Sequence, residues 1–161
     1  APPAGNRSGA DQAFARGVEA QRDGKLSEAI AAYRAATQAD PSHFEAHYNL
    51  GLAAFQTGRL ADSLAAYENA LALKPDSTDA RYNFALGLKQ GGYLLDAANE
   101  LEQLVSGANA DPRARLALAN LYAQQLRQPA KAREHYTKLL EAEPRHPQAD
   151  AIRRWLVQNP G

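Results

Sequence analysis

The chain has 161 residues, with 18 basic and 18 acidic side chains, a net charge of zero and a pI near 7.1. That balance gives no general attraction to nucleic acid or to an anionic membrane surface. The absence of cysteine excludes disulfides, thiolate metal sites and cysteine nucleophiles. Residues 1–9, Ala-Pro-Pro-Ala-Gly-Asn-Arg-Ser-Gly, contain no large apolar side chain and read as a disordered tether. No methionine occurs anywhere, so residue 1 reads as the start of a mature or cut chain, exported or tethered through its proline-rich end. The longest run without a charge, Ala46 to Gly58, has 13 residues. That is too short to span a bilayer, and no membrane insertion is expected. The neutral total hides a split: residues 1–110 carry 9 basic and 13 acidic side chains, and residues 111–161 carry 9 and 5.

From about residue 10 onward the sequence repeats with a period of 34. Pro41 falls on Pro75, Leu26 on Leu60, Tyr33 on Tyr67, Ala36 on Ala70, Gly17 on Gly51 and Gly24 on Gly58. The same shift carries Tyr48-Asn49 onto Tyr82-Asn83 and Gly58 onto Gly92. The units fall at about 10–43, 44–77, 78–111 and 112–146, within one domain over 10–159. Each unit reads as two amphipathic helices. In the second unit they run over 44–56 and 60–73, with Thr57-Gly58-Arg59 as the turn. Glycine there ends the first helix, and Lys74-Pro75-Asp76 breaks the second. Gly51 is expected to face Ser63, and Gly17 to face Ala29. Tyr67 and Tyr33 then fill the space that the missing side chains leave.

The third unit departs most. Leu104 stands where Ala36 and Ala70 stand, and residues 105–112 carry Ser, Gly and Asn, so its second helix should end early and pack less well. The fourth needs one extra residue near Leu126-Arg127-Gln128, after which Pro129 suits a first helical position. A final helix over 147–158 places Ile152, Trp155 and Leu156 on one face and Arg153, Arg154 and Gln158 on the other. It reads as a cap, with Trp155 plugging the core.

These residues carry a family resemblance. The pattern W-x2-L-G-x2-Y, A-x3-F, P is the tetratricopeptide repeat signature. The first unit supplies Gly17, Ala29, Tyr33 and Pro41, and the second Leu50, Gly51, Tyr67 and Pro75, with His47 in the tryptophan place. The third supplies Phe84, Ala85, Ala97 and Leu101, with Asn109 in the proline place. The fourth supplies Leu118, Ala119, Tyr122, Ala132, Tyr136 and Pro144. The chain therefore resembles tetratricopeptide repeat proteins over roughly residues 10–144. The resemblance implies an all-α fold, a right-handed α-α superhelix of about four helix pairs plus the capping helix. It also implies a non-catalytic interaction scaffold whose first helices line a concave groove for a partner's peptide. Self-association, or service as an accessory domain of a larger enzyme, are the alternatives.

The groove positions that the resemblance implies are Phe14, Ala15 and Val18; Tyr48, Asn49, Leu52 and Gln56; Tyr82, Asn83, Leu86 and Gln90; and Leu116, Ala117 and Asn120. Asn49 and Asn83 stand where the family commonly carries an asparagine that bonds a ligand backbone. An amide offers both donors and acceptors for this, and neighbouring tyrosines offer rigid apolar area. Arg113 and Lys89 favour an acidic ligand, while Glu45 and Asp79 oppose one. The family's clamp for a C-terminal carboxylate needs basic residues, but Phe14, Val18, Asp79 and Asn83 stand among its places here, so no chaperone-tail binding of that type is expected. His43 and His47 are four apart but lack a third ligand, and no metal or cofactor is expected. His135 and His146 are isolated and read as packed or solvent-exposed. No phosphate loop, nucleophile elbow or Ser/His/Asp set occurs, so no catalysis is expected.

Overall fold

A computed structural model describes residues 5–161. Among them are nine α-helices and no strand: α1 (Arg7–Arg22), α2 (Leu26–Ala39), α3 (Phe44–Gln56), α4 (Leu60–Leu73), α5 (Thr78–Gln90), α6 (Leu94–Val105), α7 (Pro112–Gln124), α8 (Pro129–Ala142) and α9 (Ala149–Gln158). They fall into two compact units that meet within α5, between Gly87 and Leu88. Helices α3 and α4 have the limits their sequence predicts. Helix α1 starts inside the segment expected to be a tether. Asn6 caps it by accepting from the Gly9 N–H, and the Asn6 N–H reaches the Ala39 carbonyl at 2.7 Å. The rest of that segment, residues 1–4, lies outside the described residues.

In the first unit α1 packs on α2, α2 on α3, and α3 on α4. What sets the close approach within a pair is a missing side chain. A β-carbon added at Gly51 would lie 2.8 Å from the Tyr67 ring, and one at Gly17 would lie 2.5 Å from the Tyr33 ring. Both tyrosines are fully buried. Gly17 therefore receives the Tyr33 ring, as Gly51 receives that of Tyr67. The expected Gly51 and Ser63 pair does form: the buried Ser63 hydroxyl donates to the Gly51 carbonyl at 2.7 Å. Gly58 turns the chain between α3 and α4 at φ +75°, where a β-carbon would be strained but would meet no neighbour.

In the second unit α6 packs on α7, α7 on α8, and α8 on α9. Helix α6 has 12 residues, against 14 in α2, α4 and α8, so its early end follows the sequence reading. Its packing does not. Leu101, Leu104 and Val105 are all buried, so the larger Leu104 is accommodated rather than expelled. The turn from α7 to α8 is one residue longer than its counterparts and puts Arg127 at φ +53°, with Pro129 opening α8. In α9 only Ala149 and Ile152 are buried. Trp155 is half-buried, its ring 5.0 Å from that of Tyr136. It leans on the core edge and does not plug it, because the polar end of α9 is tied down separately. The Arg133 guanidinium donates to the carbonyls of Leu156 and Asn159.

Candidate functional site

The 34-residue period places Tyr48-Asn49 on α3 and Tyr82-Asn83 on α5 at the same helical register, all four half-buried. Their polar ends are joined within the first unit. The Asn83 amide donates to the Tyr48 hydroxyl at 3.0 Å, and the Asn49 amide to the Tyr33 hydroxyl at 3.4 Å. The Tyr33 hydroxyl donates onward to the Gln21 side chain at 2.5 Å. This neutral ladder runs across α1, α2 and α3 and from α3 to α5. Each asparagine spends one amide hydrogen in it, leaving a carbonyl oxygen and a second N–H with which to meet a ligand. The Tyr48 ring stacks on Phe44 at 6.0 Å and meets Tyr67 edge-on at 6.1 Å, so the ladder is also held by its rings. Burial raises the Tyr33 and Tyr67 pKa values, keeping both hydroxyls protonated.

The other groove positions divide. Leu52 and Leu86 are half-buried beside the ladder, and Gln56 is exposed at the end of α3. Phe14 packs against Tyr33 at 5.8 Å and His43 at 5.1 Å, which makes it part of a joint between helices and no open anchor. Gln90, Arg113 and Asn120 belong to the second unit. There the Asn120 carbonyl accepts from the Tyr136 hydroxyl at 2.5 Å. Arg113 grips Asp111 with two side-chain nitrogens, at 3.2 and 2.9 Å, which also holds the Asp111 carboxyl below the usual carboxylate range. Arg113 is therefore a capping partner, and the expected pull on an acidic ligand loses its main source.

Two acids converge where α1 meets α3. Asp11 lies 2.9 Å from Nε2 of His43, and Glu45 lies 3.5 Å from Nδ1 of the same ring. The His43 ring is buried and caps α3 by accepting from the Ala46 N–H. Nε2 of His47 binds the Pro41 carbonyl at 2.9 Å. Both histidines thus act within the fold, and no group of three metal-ligating side chains occurs among the described residues. No described helix is long and apolar enough to cross a membrane.

Sequence reasoning missed a polar cluster in the second unit. The Tyr122 hydroxyl donates to Glu102 at 2.7 Å, and Nε2 of His135 lies 3.4 Å from the same carboxylate oxygen. Arg115 lies 3.3 Å from Nδ1 of His135 and donates to the Val105 carbonyl. His135 is buried and stacks on Tyr122 at 5.9 Å. Burial lowers its pKa, and Glu102 opposes that shift. No sequence signal could have found the cluster, since its members come from three helices 20 to 33 residues apart. Beside it, the early end of α6 opens a cavity of about 540 Å³ lined by the 107–110 loop, Arg115, Lys138 and Leu139. Its two cations are engaged with His135 and with Glu134.

Tetratricopeptide repeat models match residues 14–78 and 112–146. Comparison with curated protein sequences gives no match. Several solved structures share the fold. A crystal structure of MamA superposes with a TM-score of 0.80 at 18% identity, covering 93% of this chain and 89% of that one. A tetratricopeptide repeat protein from Parabacteroides merdae gives 0.85 at 21%, covering 92% of this chain and 59% of that one. The first tetratricopeptide domain of Spaghetti (RPAP3), bound to the HSP90 peptide SRMEEVD, gives 0.67 at 22%, covering 76% and 99%.

Proposed function

This chain belongs to the tetratricopeptide repeat family, an all-α solenoid fold that serves protein–protein interaction, and on that premise we propose that it holds an extended peptide segment of a partner against the first helices of its pairs. The reading makes it a non-catalytic scaffold. The observation that carries it is the register-matched pair of asparagines, Asn49 and Asn83. Each is pre-oriented by a tyrosine hydroxyl and each keeps a carbonyl oxygen and an N–H for a peptide unit. Pre-orientation matters because a side chain already fixed loses little entropy when a ligand arrives. The Spaghetti domain, bound to an HSP90 peptide, supports the reading through its shared fold.

The test begins with partners captured from the native source. Titration calorimetry then compares wild type with the double variant Asn49→Ala, Asn83→Ala. Two or more lost hydrogen bonds at about 1 kcal/mol each should weaken binding at least tenfold. Equal affinity in a variant that still folds would move the binding surface elsewhere. A second reading, self-association, is favoured by exposed Tyr93 and Leu95 around the start of α6. Sedimentation across concentrations separates the two.

A further inference from the structure

We infer that the segment docking on this face is basic; the inference rests on the peptide reading above. The first helices of the first unit carry one acid each at the same repeat position: Asp11, Glu45 and Asp79, each 34 residues from the next. Each stands four residues before Ala15, Asn49 or Asn83, so each shares a helix face with the ladder's register. The ladder itself is neutral, built from Gln21, Tyr33, Tyr48, Asn49 and Asn83. The charge at its rim therefore decides which ligands are attracted.

The first two acids have internal partners, with His43 at 2.9 Å from Asp11 and 3.5 Å from Glu45 among them, but stay open to solvent. Arg7 approaches Asp11 and Glu45 only at 3.4 and 4.0 Å, and is closer to the nearly buried Asp40 carboxylate at 3.2 Å. Lys74 reaches Glu45 at 3.8 Å while standing over the Phe44 ring. The Asp11 and Glu45 side chains remain 59% and 48% exposed. Pairs this exposed contribute little, so a ligand cation can join or replace them at small cost.

A random dodecapeptide library, displayed and selected on the full chain, tests this. Peptides whose binding is lost in Asn49→Ala, Asn83→Ala define the groove set. That set should be enriched in Lys and Arg. By fluorescence anisotropy, Glu45→Gln with Asp79→Asn should weaken these peptides at least tenfold. Glu28→Gln, an exposed acid on α2, should leave them unchanged, and rising salt should weaken wild-type binding. Circular dichroism confirms that each variant folds. A groove set that is acidic or neutral, or is indifferent to the double amide change, overturns the charge inference and leaves the peptide reading standing. If no selected peptide depends on Asn49 and Asn83, the peptide reading falls and the inference with it.

Discussion

The two units share one way of satisfying a tyrosine between helices, and the second adds another. In the first, tyrosine hydroxyls between helices are met by neutral amides, Gln21, Asn49 and Asn83. In the second, Tyr136 likewise meets an amide, Asn120, but Tyr122 meets a carboxylate, Glu102, which also reaches a buried histidine backed by an arginine. The closest approaches differ too. Gly17 and Gly51 admit tyrosine rings in the first unit, while the corresponding position in the second unit is the buried Ala119. The lesson is that the position shared by Tyr33 and Tyr136 keeps its amide partner, while Tyr122, at a different repeat position, takes an ionisable one. One solution is indifferent to pH and the other is not.

The glycine joints should give the largest effects. Tyr67→Ala empties a fully buried site and should cost about 4 kcal/mol in urea denaturation. Gly51→Ala drives a methyl into the same ring and should cost about 2 kcal/mol. Gly58→Ala meets no atom and should cost about 1 kcal/mol, from its positive φ alone. Equal costs at Gly51 and Gly58 would mean that ring contact is not what selects glycine at Gly51.

The second prediction concerns pH. Burial holds the His135 pKa below its ordinary value, so the unfolded chain takes up a proton at a pH where the folded chain does not. Stability is therefore full above the ordinary histidine pKa of about 6.5 and declines as pH falls through the window beneath it. Thermal melts between pH 7.5 and 5 should show this decline in wild type. His135→Gln should flatten it. Asp111 and Glu134, held low by hydrogen bonds from Arg113 and Lys138, act only in the more acidic carboxylate window. A slope unchanged by His135→Gln would mean the cluster is not the sensor.

The smallest effects lie in the ladder. Asn83→Ala removes a 3.0 Å bond and should cost about 1 kcal/mol, while Asn49→Ala removes a 3.4 Å bond and should cost less, about 0.5 kcal/mol. Chemical denaturation with both single variants would check the order. The reverse order would mean that the Tyr33 contact is the stronger of the two. These costs bear on the binding test, since the double variant is somewhat less stable and its affinity must be read at a temperature where it is folded.

Periodicity made much of the fold legible. A repeat of 34 with glycine in the turn and proline after the second helix dictates helix pairs, because both residues act through local backbone geometry. The limits of α3 and α4, the short α6 and the long turn before Pro129 all follow from such local rules. The positions of Tyr48, Asn49, Tyr82 and Asn83 on shared registers also follow, since register is arithmetic along one helix. What only the tertiary structure decided are the partners of side chains that cross between helices. Phe14 turned into a joint, Trp155 to the core edge, and Glu102, His135 and Tyr122 into one cluster. Such pairings depend on which helix faces meet and how closely. A missing β-carbon at Gly17 or Gly51 sets that distance, and no local rule along the chain does.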